Sequence, residues 1–343
     1  MEVVIVADDL TGALDSAVAF ADQGLKVLCA LGPSHLETAL AMDADVVAVS
    51  TGSREIEQET AVKRVRQVRD IVSDSKHGET ARLFKKVDSR LKGHVAAETE
   101  ALRSPDQPIL VCPAIPKLGR FVENGMLCGA GVVTPRSVAD IAKVPLSACP
   151  DANSQEDIAK ALEAFPEGGL LVGAAGLAES LAARSIKPDS TLRDIRPQSP
   201  ALFAIGSRDP VTLAQLDNFA PLPAPNGSVP DPTPFSDDVQ VIQMTSGETE
   251  ISSQEAGDQF AKGIANWIAT IRPASFLASG GESAAAICAR LDIGILEILG
   301  EVLPGLPMSK SLNGQRDLFI ITKSGGFGTP DTLVNLAAKL VKR

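Results

Sequence analysis

The chain has 343 residues, 44% of them hydrophobic, and a formal net charge of -11. That length exceeds one ordinary core and implies two domains, and the acidic balance excludes a nucleic-acid or anionic-membrane partner, both of which need a basic footprint. Five cysteines without a CxxC pair and three histidines without ligand spacing argue against a zinc site or a disulfide framework; the pattern leaves the metal question open and fits reduced thiols in a cytoplasmic protein. No basic leader with a cleavage site and no apolar stretch of membrane-spanning length is visible, so export and membrane insertion are not expected.

In chain order, Val3–Ala7 is a continuous β-branched run that suits a strand buried on both faces of a parallel sheet. It ends in Asp8 and Asp9 and turns into a helix expected over Ala13–Gln23. Ligands of open α/β sheets bind outside the carboxyl ends of the strands, where these two acids stand. The plainer alternative is that Asp9 caps the helix and Asp8 is solvated. Further strands are expected at Val27–Leu31, Val46–Ser50, Leu83–Val87, Ile109–Pro113 and Leu170–Gly173, with a charged surface helix over Glu55–Asp74. Arg54, just beyond one strand end, adds a cation to the same crevice.

The segment Lys86-Val87-Asp88-Ser89-Arg90 follows another strand and leads toward a helix near His94. If the strand continues, Lys86, Asp88 and Arg90 share one side. Such a set can grip a carboxylate with its cations and hydroxyls with its acid, or it can be a solvated basic turn. Beyond it, residues 186–200 become polar and proline-bearing and make a candidate linker between a domain at 1–195 and one at 200–343. Each half is expected to be a mainly parallel sheet flanked by helices, an α/β fold.

In the second half, strands are expected at Leu202–Ile205, Val239–Met244, Ser275–Ala278 and Leu318–Thr322, and helices at Leu213–Phe219, Gln254–Ile271, Ala284–Leu291 and Thr332–Val341. Six prolines between Pro221 and Pro234 imply an extended surface loop. Three strand ends carry small residues: Gly206-Ser207, then Ser279-Gly280-Gly281-Glu282, then Ser324-Gly325-Gly326. Glycine lets backbone amides approach an oxyanion and the helix start behind each turn favours phosphate, although Gly-Gly is also ordinary loop punctuation. No GxxxxGK[ST] and no GxGxxG after the first strand occurs, Asp8 and Asp9 are adjacent and not one residue apart, and the Gly173–Ala178 turn lacks a serine for a nucleophile elbow, which disfavours the common nucleotide-loop, dinucleotide, dehalogenase-type and hydrolase chemistries.

These blocks, from Ile5–Ala13 and Lys86–Gly93 through Gly119-Arg120, Asn124-Gly125 and Leu171–Ala178 to Thr322–Gly328, resemble the four-carbon acid sugar kinases over nearly the whole chain. The resemblance implies an N-terminal domain for an acid such as threonate, erythronate or 3-oxo-tetronate and a C-terminal domain for ATP, with Mg²⁺. By position, Asp9, Arg54 and Lys86-Val87-Asp88-Ser89 would touch the acid, with Arg90 beside them; Ser207, Ser279, Gly280, Gly281, Glu282, Gly325 and Gly326 would touch the nucleotide. Asp9, or else Asp8, would orient or deprotonate the attacking hydroxyl, expected to be the terminal one. The chain departs from the family in reading Gly119-Arg120-Phe121-Val122 where Gly-Arg-Thr-Thr is usual, and in a region shortened between Val132 and Pro150. That shortening motivates a rival expectation, a non-catalytic sensor of a sugar acid or a nucleotide. Dimerisation stays open.

Overall fold

The computed structural model describes residues 2–78, 80–185, 195–314 and 318–342. The chain divides into two compact units, Met1–Leu192 and Arg193–Arg343. Most of the expected linker, residues 186–194, lies outside the described residues.

In the first unit the chain runs β1 (Val3–Ala7), α1 (Leu10–Ala21), β2 (Val27–Ala30), α2 (Leu36–Ala41), β3 (Val46–Ser50), α3 (Gln58–Asp74), β4 (Arg82–Lys86), α4 (Val95–Leu102) and β5 (Ile109–Cys112). A small antiparallel sheet follows, β6 (Arg120–Glu123), β7 (Met126–Gly129) and β8 (Arg136–Ser137), then α5 (Val138–Ala142), α6 (Gln155–Glu163), β9 (Leu170–Gly173) and α7 (Ala175–Ala182). The larger sheet is parallel in the order β2-β3-β1-β4-β9-β5. Strand β1 is buried along its whole length, as its unbroken β-branched run requires. The chain winds from β1 toward β3 on one side and later toward β4 on the other, so the end of β1 is a topological switch point, the usual place for a ligand.

The second unit contains β10 (Gln198–Ser199), β11 (Ala201–Ile205), α8 (Pro210–Ala214), β12 (Leu222–Pro225), β13 (Val239–Thr245), α9 (Ser253–Ile271), β14 (Ser275–Ser279), α10 (Gly281–Arg290), β15 (Ile295–Leu303), β16 (Leu306–Ser311), β17 (Phe319–Lys323), α11 (Thr332–Ala338) and β18 (Val341–Lys342). Its sheet is parallel through β12-β13-β11-β14-β17 and turns antiparallel at β16 and β15. Phe203, Ile205, Leu277, Ile321, Leu333 and Leu336 form its core. No helix among the described residues is long and apolar enough to cross a membrane.

The α/β architecture agrees with the sequence, and several elements differ from it. Helix α1 begins at Leu10 rather than Ala13, because Asp9 accepts from the Gly12 amide and starts the helix at once. Strand β4 stops at Lys86, so Lys86, Asp88 and Arg90 do not alternate along one strand face. Beyond Lys86, Asp88 Oδ1 accepts from the amides of Arg90 and Lys92 and bends the chain into a loop. The proline-rich stretch is not wholly a loop: Leu222–Pro225 is the edge strand β12, paired only with β13, where a missing proline N–H costs nothing on the solvent side. Trp267 Nε1 then donates to Pro230 O at 2.7 Å and ties the following segment to α9. The strands β6, β7, β8, β15 and β16 were not anticipated, and the closing helix ends at Ala338 rather than Val341.

A buried polar network fixes the loop after β3, which carries Arg54. Lys85 Nζ sits 2.8 Å from Glu98 Oε2 on α4, both side chains 1% exposed. Ser53 Oγ donates to Glu98 Oε1, Thr51 Oγ1 bonds Ser53 Oγ at 2.7 Å, and Thr51 Oγ1 donates to Ala7 O at the end of β1. Removing one partner strands the other charge in a dry interior. Glu98→Ala is therefore expected to lower unfolding free energy by about 3 to 5 kcal/mol, and pairing it with Lys85→Met to restore much of that loss, read by urea denaturation.

Candidate active site

At the end of β1, Asp8 and Asp9 share one guanidinium. Arg54 Nε and Nη2 donate to Asp8 Oδ2 and Oδ1, both at 2.8 Å, while Nη1 and Nη2 donate to Asp9 Oδ2 and Oδ1 at 2.8 and 2.9 Å. Four of the five guanidinium N–H groups are thereby used, and Asp88 Oδ2 stands 4.0 Å from Nη1. Asp9 is also the cap of α1: Oδ1 accepts from the Gly12 amide and Oδ2 from Thr11 Oγ1, each at 2.8 Å. Asp9 thus caps the helix as the plainer alternative expected, whereas Asp8 is buried and not solvated. Burial alone would raise the Asp8 pKa, but the Arg54 hydrogen bonds, with the charges of Lys85, Arg54 and Lys86, hold it below its usual value of 3.8. The Arg54 pKa is raised in turn: burial opposes its charge, and the hydrogen bond and charge of Asp8, then Asp9 and Asp88, outweigh it.

Lys86 is buried; its Nζ donates to Val87 O at 2.9 Å and lies 3.0 Å from where a side chain on Gly12 would begin, beside Asp9. Val87 itself is a core side chain, so among the residues expected at the acid it can offer only backbone. Ser89 Oγ accepts from Arg120 Nη1 at 2.5 Å, and Arg90 holds its side chain beside Gly131. One turn along α1 from Gly12, Asp15 is packed deep yet partly accessible, and its pKa is raised, chiefly by burial and also by Glu179 and Asp9 against the pull of Lys86 and Lys117. Asp15 and Arg120 were not assigned from sequence. Asp15 sits one helical turn from the Thr11-Gly12 pair, and Arg120 lies in the Gly119-Arg120 block of the resemblance; neither signal was turned into a role.

In the second unit the three turns stand on adjacent strands, since Ile205 pairs Ser279 and Ser279 pairs Lys323 at the carboxyl ends of β11, β14 and β17. Gly206 N and Ser207 N both donate to Ser279 O at 3.0 Å, and Gly280 N donates to Lys323 O at 3.0 Å. Ser279 is fully buried, its Oγ has no hydrogen-bond partner among the described residues, and the Gly280 amide is engaged by Lys323 O. Gly281 and Glu282 open α10, whose first amides have neither an intrahelical partner nor a side-chain cap. Lys323, not singled out from sequence, is buried beneath the third turn. Its Nζ donates to Thr212 Oγ1 at 2.9 Å, to Ser324 O at 3.2 Å and to Gly325 O at 3.3 Å.

Because a peptide is planar and trans, carbonyls 324 and 325 held inward aim the Gly325 and Gly326 amides away from Lys323. Neither amide has an acceptor among the described residues. Gly325 is required by close approach, a Cβ there falling 2.4 Å from Ser207 Oγ. Burial pushes the Lys323 pKa down to about 8, with Asp209 opposing. Asp209 caps α8 through Oδ1, and its Oδ2 lies 3.4 Å from where a Gly326 side chain would begin. Among the described residues no cluster of three or more His, Cys, Asp or Glu could cage a metal.

The shared guanidinium makes a pH signature. In the wild type the depressed Asp8 pKa contributes stability that is present above 3.8 and lost as pH falls through the lower folded value. In Arg54→Met burial acts on Asp8 without its main opponent, its pKa rises, and stability is gained as pH falls. The variant is expected to lose about 3 to 5 kcal/mol near neutral pH, with the deficit shrinking toward pH 4 in denaturation curves; a deficit independent of pH would contradict the role given to Arg54.

Comparison with known proteins supplies the lineage. Residues 3–153 match the sugar-binding N-terminal domain and residues 228–333 the nucleotide-binding C-terminal domain of one two-part family. The chain is 29% identical to a D-threonate kinase of Bordetella bronchiseptica, over 99% of this chain and 97% of that protein. It is 25% identical to a 3-oxo-tetronate kinase of Pseudomonas fluorescens, over 95% and 94%. The first alignment runs over 399 positions, so that relative carries segments with no counterpart in these 343 residues. A Haemophilus influenzae protein of known crystal structure shares the fold, with a TM-score of 0.72 at 18% identity over 99% of this chain and 100% of that one. With the charged strand ends of the first unit and the bare amides of the second, these matches make the chain a member of the four-carbon acid sugar kinase family.

Proposed function

We propose that the protein is an ATP-dependent kinase that phosphorylates the terminal hydroxyl of a small four-carbon sugar acid such as threonate, erythronate or 3-oxo-tetronate. The first unit takes the acid and the second the nucleotide. The observation that carries this reading is the division of groups: carboxylates and guanidiniums converge at one switch point, and backbone amides unpaired among the described residues gather at the other strand ends. Phosphoryl transfer asks for that combination, because its transition state is loose and depends on positioning and charge neutralisation.

Asp9 would accept a hydrogen bond from the attacking hydroxyl by sharing with Arg54. Its carboxylate is tied to a cation, and so acts by orienting the hydroxyl more than by basicity, which suits a reaction where the proton leaves late. The Gly325 and Gly326 amides and the first turn of α10, with Gly281 and Glu282, would meet the phosphates, and Ser207 packs the turn from beside Gly325. Mg²⁺ fits the donor set: the Asp209 Oδ2 beside Gly326 has no donor among the described residues and would repel phosphate unless a cation bridged them. When bound, the ion would neutralise phosphate charge, and Asp209 would hold it. The expectation of a cytoplasmic protein belongs with this metabolic reading.

ADP release on adding D-threonate, D-erythronate or 3-oxo-tetronate with ATP and Mg²⁺ tests the reading; no acid-dependent release from any of them would refute it. Asp9→Asn should keep the fold, since Asn caps helices as well as Asp, while kcat falls by about 10²- to 10⁴-fold. Near-normal turnover would remove Asp9 from the mechanism. Gly325→Ala should raise KM for ATP with little effect on KM for the acid, because the new methyl collides with Ser207 and reshapes the amide cradle.

A further inference from the structure

We propose that Arg90 and Arg120, brought together at Gly131, form the seat for the carboxylate of the sugar acid, and so fix which end of the acid faces Asp9. This rests on the sugar-acid reading above. Sequence offered Arg54, Lys86 and Arg90 as cations for the acid, and in the structure the first two already have partners in the protein. Arg54 spends four N–H groups on Asp8 and Asp9, and Lys86 is buried against Val87 O and the start of α1.

The remaining cations gather elsewhere. Arg90 Cδ and Nη1 stand 3.7 and 3.9 Å from the point where a Gly131 Cβ would be, and Arg120 Nη2 stands 3.4 Å from it. Two like charges thus bracket one point, and Gly131, with φ of +74°, has no side chain to fill it. Arg120 is braced from two sides, Nη1 donating to Ser89 Oγ and Nε to Ala130 O at 2.9 Å, which leaves Nη2 without an acceptor among the described residues. The Arg90 guanidinium has none either, while its backbone is held by Arg136 Nη1 donating to Arg90 O at 2.5 Å. Arg136 is a positioning residue.

Countercharge at this point is thin. Asp88 is the nearest acid in sequence, but its Oδ1 takes the amides of Arg90 and Lys92 and its Oδ2 faces Arg54. Burial and the like charge of Arg90 lower the Arg120 pKa, with Asp88 opposing. A planar carboxylate accepting from both guanidiniums relieves that repulsion and uses the free donors. The groups touch in series, Asp9 with Arg54 and Arg54 with Asp88, while Ser89, next to Asp88 in the chain, holds Arg120 beside Arg90. An acid seated by its carboxylate at the arginine end lays its hydroxyls along Asp88 and points its far hydroxyl at Asp9, so the same contact that selects an acid over a neutral sugar selects the terminal position.

Calorimetry with D-threonate and with threitol, its neutral analogue bearing CH₂OH in place of the carboxylate, tests the seat. Arg90→Ala is the informative variant because that guanidinium makes no hydrogen bond within the described protein. Wild type should bind threonate more tightly than threitol, and Arg90→Ala should weaken threonate by about 10- to 100-fold while leaving threitol and an ATP analogue unchanged. Arg120→Lys should weaken threonate in the same direction. Unchanged threonate binding in Arg90→Ala, equal loss for threitol, or no wild-type preference for the acid would each overturn the seat. Arg90-dependent binding without turnover would leave the seat standing and refute the kinase reading, whereas turnover with an unaltered KM for threonate in Arg90→Ala would do the reverse.

Discussion

One guanidinium held by two carboxylates is the constraint on which the first unit depends. Asp8 and Asp9 end a strand that is buried on both faces, so two adjacent negative charges arrive where water is scarce. Burial would push the Asp8 carboxyl above its usual range, and the Arg54 guanidinium holds it below. Arg54 is in place to do so because the loop after β3 is pinned by Thr51, Ser53 and the Glu98–Lys85 pair beneath it. The polar interior behind the site is therefore the support that holds one cation in register with two acids.

The second unit presents backbone amides at its strand ends, with the lysine beneath them turned away from the surface. Lys323 is turned inward, and its three donors hold carbonyls and a hydroxyl, so that the amides of the following glycines face outward. The order of β11, β14 and β17 brings the small-residue turns side by side. The two units thus use different chemistry at equivalent places in their sheets, charged side chains in one and backbone dipoles in the other.

Much of this was legible in the sequence because strands buried on both faces announce themselves as unbroken apolar runs, and their ends are where glycine and charge accumulate. Asp8, Asp9, Arg54 and the three glycine-bearing turns all stood at such ends. What the sequence did not disclose was partnership. Arg54 read as a free cation and is a neutralised one; Lys86 read as a surface grip and is buried. The strands of the small sheet were missed because they are short and mixed in polarity; in β15 burial alternates along the strand, but apolar Leu299 and Leu303 on the less buried side and Gly300 on the buried side blur that period in the sequence, and the pairing with β16 shifts register at Ile298/Gly300 and Glu301/Leu303. Arg120 stood in a recognisable Gly-Arg block, but its partners did not: Ser89 comes from the loop after β4, and Ala130 lies across a hairpin no local pattern signals.

A crystal structure with D-threonate bound decides the matter. The acid is expected at the carboxyl end of β1, its terminal hydroxyl within hydrogen-bond distance of Asp9 while Arg54 still spans Asp8 and Asp9. An acid found away from that strand end, or one whose carboxylate has displaced Asp8 and Asp9 from Arg54, would contradict that expectation.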